Sequence, residues 1–284
     1  MSSTDAGSSK RTAEEDVMRA SVFQRLHPRA YLERFLAEGI RPDGRDPGAF
    51  RDVTINVGSI STADGSALVR LGDTTIVCGV KAEIAEPDLN SPSAGFLVPN
   101  IDLPAICSPK FKPGPPSEEA QVLSEKFNDI LTLSGLLPLE SLCIHPGKSC
   151  WVLYVDATCI NYDGNAFDAA LIAMVSALKD TSLPKASYDE DSGRTTCSRS
   201  EAMPLPLRQP PVPVSFGLFN SNHLLADPTS FEEPLLDTTI TVIHNDIGEL
   251  VNVTQLGLAS DSILSSCIDA AKARSKALCD QIYA

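Results

Sequence analysis

Apolar residues recur along this chain with two periods, and the change between them is sharpest from residue 151 to residue 178 (WVLYVDATCINYDGNAFDAALIAMVSAL). Residues 151–160 are rich in β-branched and aromatic side chains, which predicts a strand. Tyr162-Asp163-Gly164-Asn165 predicts a turn, because Gly takes positive φ freely and Asn or Asp tolerates it. From 166 to 179 the spacing becomes helical, with Phe167, Ala170, Leu171, Met174, Val175 and Leu178 three or four apart. Asn165 stands at the N-cap and Asp168 in capping-box position. This helix is apolar around nearly its whole circumference, so it is expected to be buried.

The flanking pattern is less regular. Residues 1–22 are polar and mixed in charge, which predicts a disordered tail. Residues 28–37 have helical spacing, with Pro28 in the first turn and Gly39 just past the end, and RPDGR (41–45) follows as a turn-rich connector. Strands are expected over 52–57, 66–71 and 74–83, the last two joined at Gly72-Asp73 by a tight hairpin. Residues 87–116 form a long Pro-, Gly- and Ser-rich loop interrupted by the apolar run FLVPNIDLPAI, and a loop of this length is usually functional or contact-making. Ser117 caps a helix over 118–133. Residues 181–211 read as a flexible link. Hairpins then turn at Asn220-Ser221-Asn222 and at residues 245–248, and a last helix covers 263–282. The pattern predicts an α/β (α+β) domain over 23–284 with two similar β-rich halves, about 23–180 and 212–284, and helices packed on the sheets.

Composition narrows the class. The 284 residues are 43% hydrophobic and 21% charged, as in a soluble globular protein, and no run approaches the roughly 18 apolar residues of a membrane span. The polar start lacks the apolar core of a signal peptide, and eight cysteines show no CxxC, so reduced thiols in a cytosolic or nuclear protein are expected. Four scattered histidines give no metal-ligand spacing. A net charge of −14 argues against wrapping a nucleic-acid backbone, though not against a local RNA contact.

Four groups of residues carry candidate chemistry. His145-Pro146-Gly147-Lys148-Ser149 ends like a phosphate-binding loop, but the first glycine of that motif falls on Leu142, which favours a plain strand-start turn. Asp156, Asp163 and Asp168 form a carboxylate series suited either to a divalent ion or acid–base work, or to turn and cap roles. Glu232, Glu233 and Asp237 read as a solvated turn. Lys110 and Lys112 flank Phe111, a small basic-aromatic patch of the kind that touches single-stranded RNA, and Lys81 is a further candidate contact.

Together RPDGR (41–45), GSISTADGSALVRLGDTTIVCGVKAEI (58–84), VPNIDLPAICSPKFKPGPPSEEA (98–120), YDGNAFDAA (162–170) and ADPTSFEE (226–233) resemble the ribonuclease PH family, and within it the ring subunits of the eukaryotic RNA exosome. The resemblance covers roughly residues 28–282. It implies a ribonuclease PH-like fold and a hetero-hexameric ring of related chains. It further implies RNA-binding cap subunits, an associated hydrolytic nuclease, RNA in a central channel, no cofactor and no membrane, in nucleus, nucleolus and cytoplasm.

Active family members degrade RNA by phosphorolysis, which needs cations around phosphates and a carboxylate near the leaving oxygen. Against that pattern, Gly147-Lys148-Ser149 stands where a Ser-Arg or Thr-Arg clamp is expected, Gly164 is followed by Asn165 rather than a second Gly, and Glu232-Glu233 is followed by Pro234 rather than Asp. The helix that bears channel arginines in relatives has Glu125, Asp129 and Thr132. A lone Lys does not replace a bidentate Arg clamp. The expectation is a non-catalytic ring subunit for 3′-to-5′ processing of ribosomal RNA precursors and turnover of messenger RNA. The alternatives are an active phosphate-dependent exoribonuclease and an isolated RNA-binding protein.

Overall fold

The alternating stretches assemble two main sheets, and the helix that is apolar all round lies between them. The computed structural model describes residues 5–283; residues 1–4 of the expected tail and Ala284 lie outside the described residues. In chain order the first half comprises α1 (Asp5–Leu26), α2 (Pro28–Ala37), β1 (Val53–Val57), β2 (Gly65–Leu71), β3 (Thr74–Ala85), β4 (Phe96–Asp102), α3 (Glu118–Leu133), β5 (Cys143–His145), β6 (Ser149–Asn161) and α4 (Ala166–Asp180). Its sheet runs β1-β2-β3-β6-β4, with β5 paired to β6. The second half comprises β7 (Ser182–Asp189), β8 (Arg194–Pro204), β9 (Val212–Phe219), β10 (His223–Ala226), β11 (Thr238–His244), β12 (Leu250–Leu256) and α5 (Asp261–Tyr283), with a sheet ordered β10-β9-β11-β12.

Helix α4 explains this arrangement. It packs on β2 and β3 on one side and on β9 on the other, and every residue from Ala169 to Leu178 is buried. Each large apolar side chain removed from water there contributes about 1.5–3 kcal/mol, and none is lost to a solvent face. Helix α5 repeats the theme more simply, covering β9 and β11 with Cys267 and Ala271.

Three expectations change. The long loop holds a strand, β4, which pairs in parallel with β6 from Phe96↔Val152 to Asp102↔Thr158 and reaches it through α3. A central proline usually demotes such a run, but β4 is an edge strand, where Pro99 leaves no ladder donor missing. Most of FLVPNIDLPAI therefore enters the core through Ile101 and Leu103, leaving Val98 and Ile106 exposed at 42% and 86%. The link over 181–211 carries the two-stranded ribbon β7–β8, registered from Ser182↔Pro204 to Asp189↔Arg194; with both edges open to water it shows little hydrophobic patterning. The expected tail is helical from Asp5: a polar sequence rich in Ala, Glu, Lys and Arg has helix propensity without a core face, and Val17, Met18, Val22 and Leu26 stay exposed. No helix among the described residues is long and apolar enough to cross a membrane.

The α3–α4 contact supplies a stability test. Phe127 is fully buried and its ring stacks on Phe167 at 5.0 Å, whereas Phe167 is only half-buried, because its other face borders the cleft described below. Phe127→Ala is expected to cost about 3–5 kcal/mol through the cavity it leaves, and Phe167→Ala roughly half of that. Urea denaturation of the two variants checks the order; equal losses would show that the stack, not the burial, sets the energy.

Candidate functional site

The two halves meet through arginines of the segment before β1. Arg41 has no solvent exposure, and its guanidinium faces the Glu232 carboxylate with both forks, Nε lying 2.9 Å from Oε1. The same guanidinium donates to the carbonyls of Ala226 at 2.7 Å and Asp227 at 3.1 Å. Arg51 holds Asp227 through two bonds of 2.7 Å, and donates to the Asp163 carbonyl at 2.8 Å. Arg45 adds a third guanidinium, 3.3 Å from Asp227 Oδ2. Burial works to raise the Asp227 pKa, but the hydrogen bonds and charge of Arg51, with a bond from Asn165, hold it below the usual carboxylate value. Glu232 is 1% exposed. Of the acidic run, Asp237 alone is exposed, paired with Arg29 at the surface, whereas Glu232 is neutralised inside the protein by a guanidinium from 191 residues earlier and Glu233 turns to Tyr162 and Asn165.

The turn before α4 locks onto this network. Gly164 has φ +79°, and a Cβ there would lie 2.5 Å from Ser230 N, so the backbone approach itself demands glycine. Asn165, also left-handed at φ 52°, accepts from Asp168 N and donates to Asp168 Oδ2 at 2.8 Å and Asp227 Oδ1 at 2.7 Å. The reciprocal half of the capping box comes from elsewhere. Glu233 Oε1 accepts the Asn165 N–H at 2.7 Å, while Asp168 turns inward to accept Ser215 N at 2.9 Å and Ser215 Oγ at 2.7 Å. Burial pushes the Asp168 pKa up to about 6, bonds from Asn165 and Ser215 oppose the rise, and the Asp227 charge adds to it. Asp168 thus ties α4 to β9 rather than completing its own cap.

Beside this turn opens a cleft of about 680 Å³ lined by Lys110, Glu119, Tyr162, Ser230, Glu233 and Thr239. An inner recess of about 140 Å³ continues to Asn165, Phe167, Ser215 and Thr241. Among the described residues lining it, Lys110 is the one cation. Its Nζ pairs with Glu119 at 3.0 Å and lies over the Phe111 and Tyr162 rings at 5.3 and 5.2 Å. Glu233 also accepts the Tyr162 hydroxyl. Burial raises the Glu233 pKa, with the Tyr162 bond opposing, and burial beside Glu233 raises that of the Tyr162 phenol. Two carboxylates against one engaged ammonium disfavour a phosphate guest and suit a neutral or cationic group.

Only one of the three candidate lysines reaches the cleft. Lys112 is exposed on the same loop but does not line it. Lys81 is exposed on β3 opposite Tyr154, eight residues of β6 before Tyr162, or roughly 25 Å along the strand. The Gly147-Lys148-Ser149 turn lies at the other end of β6, roughly 40 Å away over its 13 residues, so it cannot supply a clamp to this cleft. The carboxylate series also separates: Asp156 is exposed near Asn100 at 3.3 Å, Asp163 faces Arg51, and Asp168 is buried. Among the described residues no cluster of three or more His, Cys, Asp or Glu is arranged to hold a metal. The residues missed from sequence are Arg41, Arg45, Arg51 and Asp227; RPDGR and ADPTSFEE each show turn chemistry, but nothing in either reveals that they are each other's counter-ions.

Residues 49–184 match the 3′ exoribonuclease family (RNase PH), domain 1, and residues 209–274 match domain 2 of the same family. The chain is 44% identical over 256 residues to exosome complex component rrp43 of Schizosaccharomyces pombe, covering 89% of this chain and 94% of that protein. It is 40% identical over 235 residues to exosome complex component Rrp42 of Methanopyrus kandleri, covering 82% and 87%. Among solved structures it superposes with a TM-score of 0.80 and 31% identity on a chain of the Archaeoglobus fulgidus exosome with RNA bound to the active site, covering 89% of this chain and 96% of that one. An archaeal exosome core chain gives 0.77 at 27% identity, covering 95% and 100%.

Asp168 gives the site a measurable pH signature. Its folded pKa of about 6 lies above the ordinary 3.8, so the folded state holds the proton more tightly. That stabilisation is complete below about pH 4 and is lost as the pH rises to about 6, a change of about 3 kcal/mol. Asp168→Asn keeps an oxygen for Ser215 N and Asn165 while removing the charge. It should gain on the parent by up to that amount across this window in urea titrations at pH 4 to 7, and parallel curves would refute the assignment. Asp168→Ala strands buried donors at about 1–3 kcal/mol each and should be weaker at every pH; Gly164→Val should be worse still.

Proposed function

This chain belongs to the 3′ exoribonuclease (RNase PH) family, and from that premise we propose that it is a non-catalytic ring subunit of an RNA exosome. In this reading it joins related chains in a six-membered ring beneath RNA-binding cap subunits. The ring threads RNA towards an associated hydrolytic nuclease, in 3′-to-5′ processing of ribosomal RNA precursors and turnover of messenger RNA. Its places of action are the nucleus, nucleolus and cytoplasm.

The observation that carries the non-catalytic reading is the charge of the cleft. Phosphorolysis brings an inorganic phosphate against an RNA phosphodiester, and the developing charge needs preorganised cations. Glu119 and Glu233 line the cleft, Lys110 is held by Glu119, and Arg41 and Arg51 are engaged in the buried network. The family-wide similarity and the likeness to exosome chains support the ring assignment. Exposed apolar side chains that do not line the cleft, Leu89, Ile106 and Leu258 at 86–97%, favour a chain made to be covered by neighbours. Lys81, Lys110 and Lys112 would then be separate points of charge beside a passing RNA rather than a patch that grips it.

Two measurements test this. The purified chain should neither shorten RNA in inorganic phosphate nor build tails from nucleoside diphosphates. Phosphate-dependent release of diphosphates that persists after removal of contaminating nucleases would make it an active exoribonuclease instead. Affinity purification of the full chain should recover related ring proteins in near-equal amounts, and a monodisperse monomer that ignores them would rule out the ring.

A further inference from the structure

We propose that Cys143 and Cys150 are a reversible redox pair, closing to a cross-strand disulfide that staples β5 to β6. The two residues are Cα partners in the antiparallel β5–β6 pairing. Residues directly opposite in such a pair share a face, with Cα atoms about 4.5–5.5 Å apart, inside the roughly 4.4–6.8 Å that a disulfide requires. Both are free thiols. The register shifts immediately beyond them, between Cys143 and His145, and such an irregularity gives the short strand the local twist needed to adjust. Among the described residues Cys150 Sγ otherwise donates only to the Ala85 carbonyl, at 3.5 Å, a contact that a rotation about χ1 gives up.

Access separates this pair from the other thiol contact in the fold. Cys107 and Cys159 also touch, and burial raises both thiols as it does Cys150, but at 4% and 0% exposure neither of them is reachable by an oxidant from solvent. Cys143 is partly exposed while Cys150 is buried behind it, the arrangement of an attacking thiol with a resolving partner. With oxidised glutathione as the oxidant, the Cys143 thiolate attacks one of its sulfurs, forming a mixed disulfide and releasing one glutathione thiolate. Cys150, buried against this sulfur, then attacks it and releases the second glutathione, its proton passing to the leaving glutathione thiolate. Two protein thiols and one glutathione disulfide become one protein disulfide and two reduced glutathiones.

The staple would act on a defined piece of structure. Strand β5 has three residues and, among the described residues, pairs with β6 alone. It carries His145, whose ring meets Tyr188 of the β7–β8 ribbon at 4.9 Å and whose Nε2 lies 3.3 Å from Glu190. The adjoining turn is held by Gly147 N–H to the Pro92 carbonyl at 2.8 Å. Closing the loop fixes this footing for the ribbon, at the end of β6 remote from the cleft.

The test incubates the native full-length chain with oxidised glutathione, blocks free thiols and digests with trypsin, which cuts after Lys148 and so parts the two cysteines. The expected product is a pair of peptides joined through Cys143 and Cys150, two hydrogens lighter than the separate peptides, and reverted by dithiothreitol. Cys150→Ser (or Cys150→Ala, should the serine variant not fold) should instead accumulate the glutathione adduct on Cys143, and Cys143→Ser should give neither product. A wild-type chain that keeps glutathione on Cys143 without forming the link, or links the two only after unfolding in urea, would overturn the proposal.

Discussion

Arg51 and Asp227 meet in a bidentate pair that is 8% and 2% exposed at the side chains, and the junction of the two halves depends on it. A buried ion pair is a poor source of net stability, since the desolvation of both partners offsets most of the attraction. Removing one partner is another matter, because the charge left behind has no water to turn to, at about 3–5 kcal/mol. The consequence is specificity. With Arg41 on Glu232, Arg45 on Asp43 and Asp227, and Asn165 bridging to Asp227, only one docking of the 226–233 loop against the 163–165 turn satisfies every group.

That docking dictates the chemistry available at the cleft. The guanidiniums nearest to the junction are turned into its interior and paired, and the carboxylates that remain at the rim, Glu119 and Glu233, meet a single lysine. A site for two phosphates needs the reverse balance. The same residues that unite the halves thus leave the cleft, among the described residues, without a free guanidinium, the feature on which the proposed non-catalytic reading rests. Asp168 belongs to this economy of charge: buried beside Asp227 and, among the described residues, in no ion pair, it relies on hydrogen bonds from Asn165 and Ser215, and burial holds its proton to a higher pH.

Sequence patterning revealed the elements whose period is imposed by one-sided or complete burial. Helices α2 and α3, the strands β1 to β3, and the core strand and helix β6 and α4 appear within a few residues of their expected bounds. What patterning missed has physical causes. Strand β4 carries Pro99 and mixes core with edge positions; β7 buries only Leu183 fully, with Ala186 half-buried beyond a shift of register at Pro184, too little to mark a strand; α1 has helix formers but no core stripe. The candidate site was less legible, because a buried arginine looks like any other arginine until its counter-ion is found. Arg41 and Glu232 are 191 positions apart, and a cap such as Asn165, completed by Glu233 from 68 residues downstream, presents locally as a box with Asp168.

Strand β6 finally sets the distances on which the functional reading turns. Its 13 residues separate the Gly147-Lys148-Ser149 turn from the Tyr162 turn by roughly 40 Å, far beyond the reach of a lysine side chain. A basic residue at the start of the strand therefore has no bearing on chemistry at its end, whatever its spacing suggests in one dimension. The two ends are free to serve different purposes: one anchors the ion network and the cleft, while the other carries the short β5 strand, its cysteine pair and the footing of the β7–β8 ribbon. Because β6 pairs with β3, β4 and β5 at once, a change that stiffens the β5 end leaves the register at the cleft end untouched, so thiol oxidation can alter the ribbon without disturbing the junction of the halves.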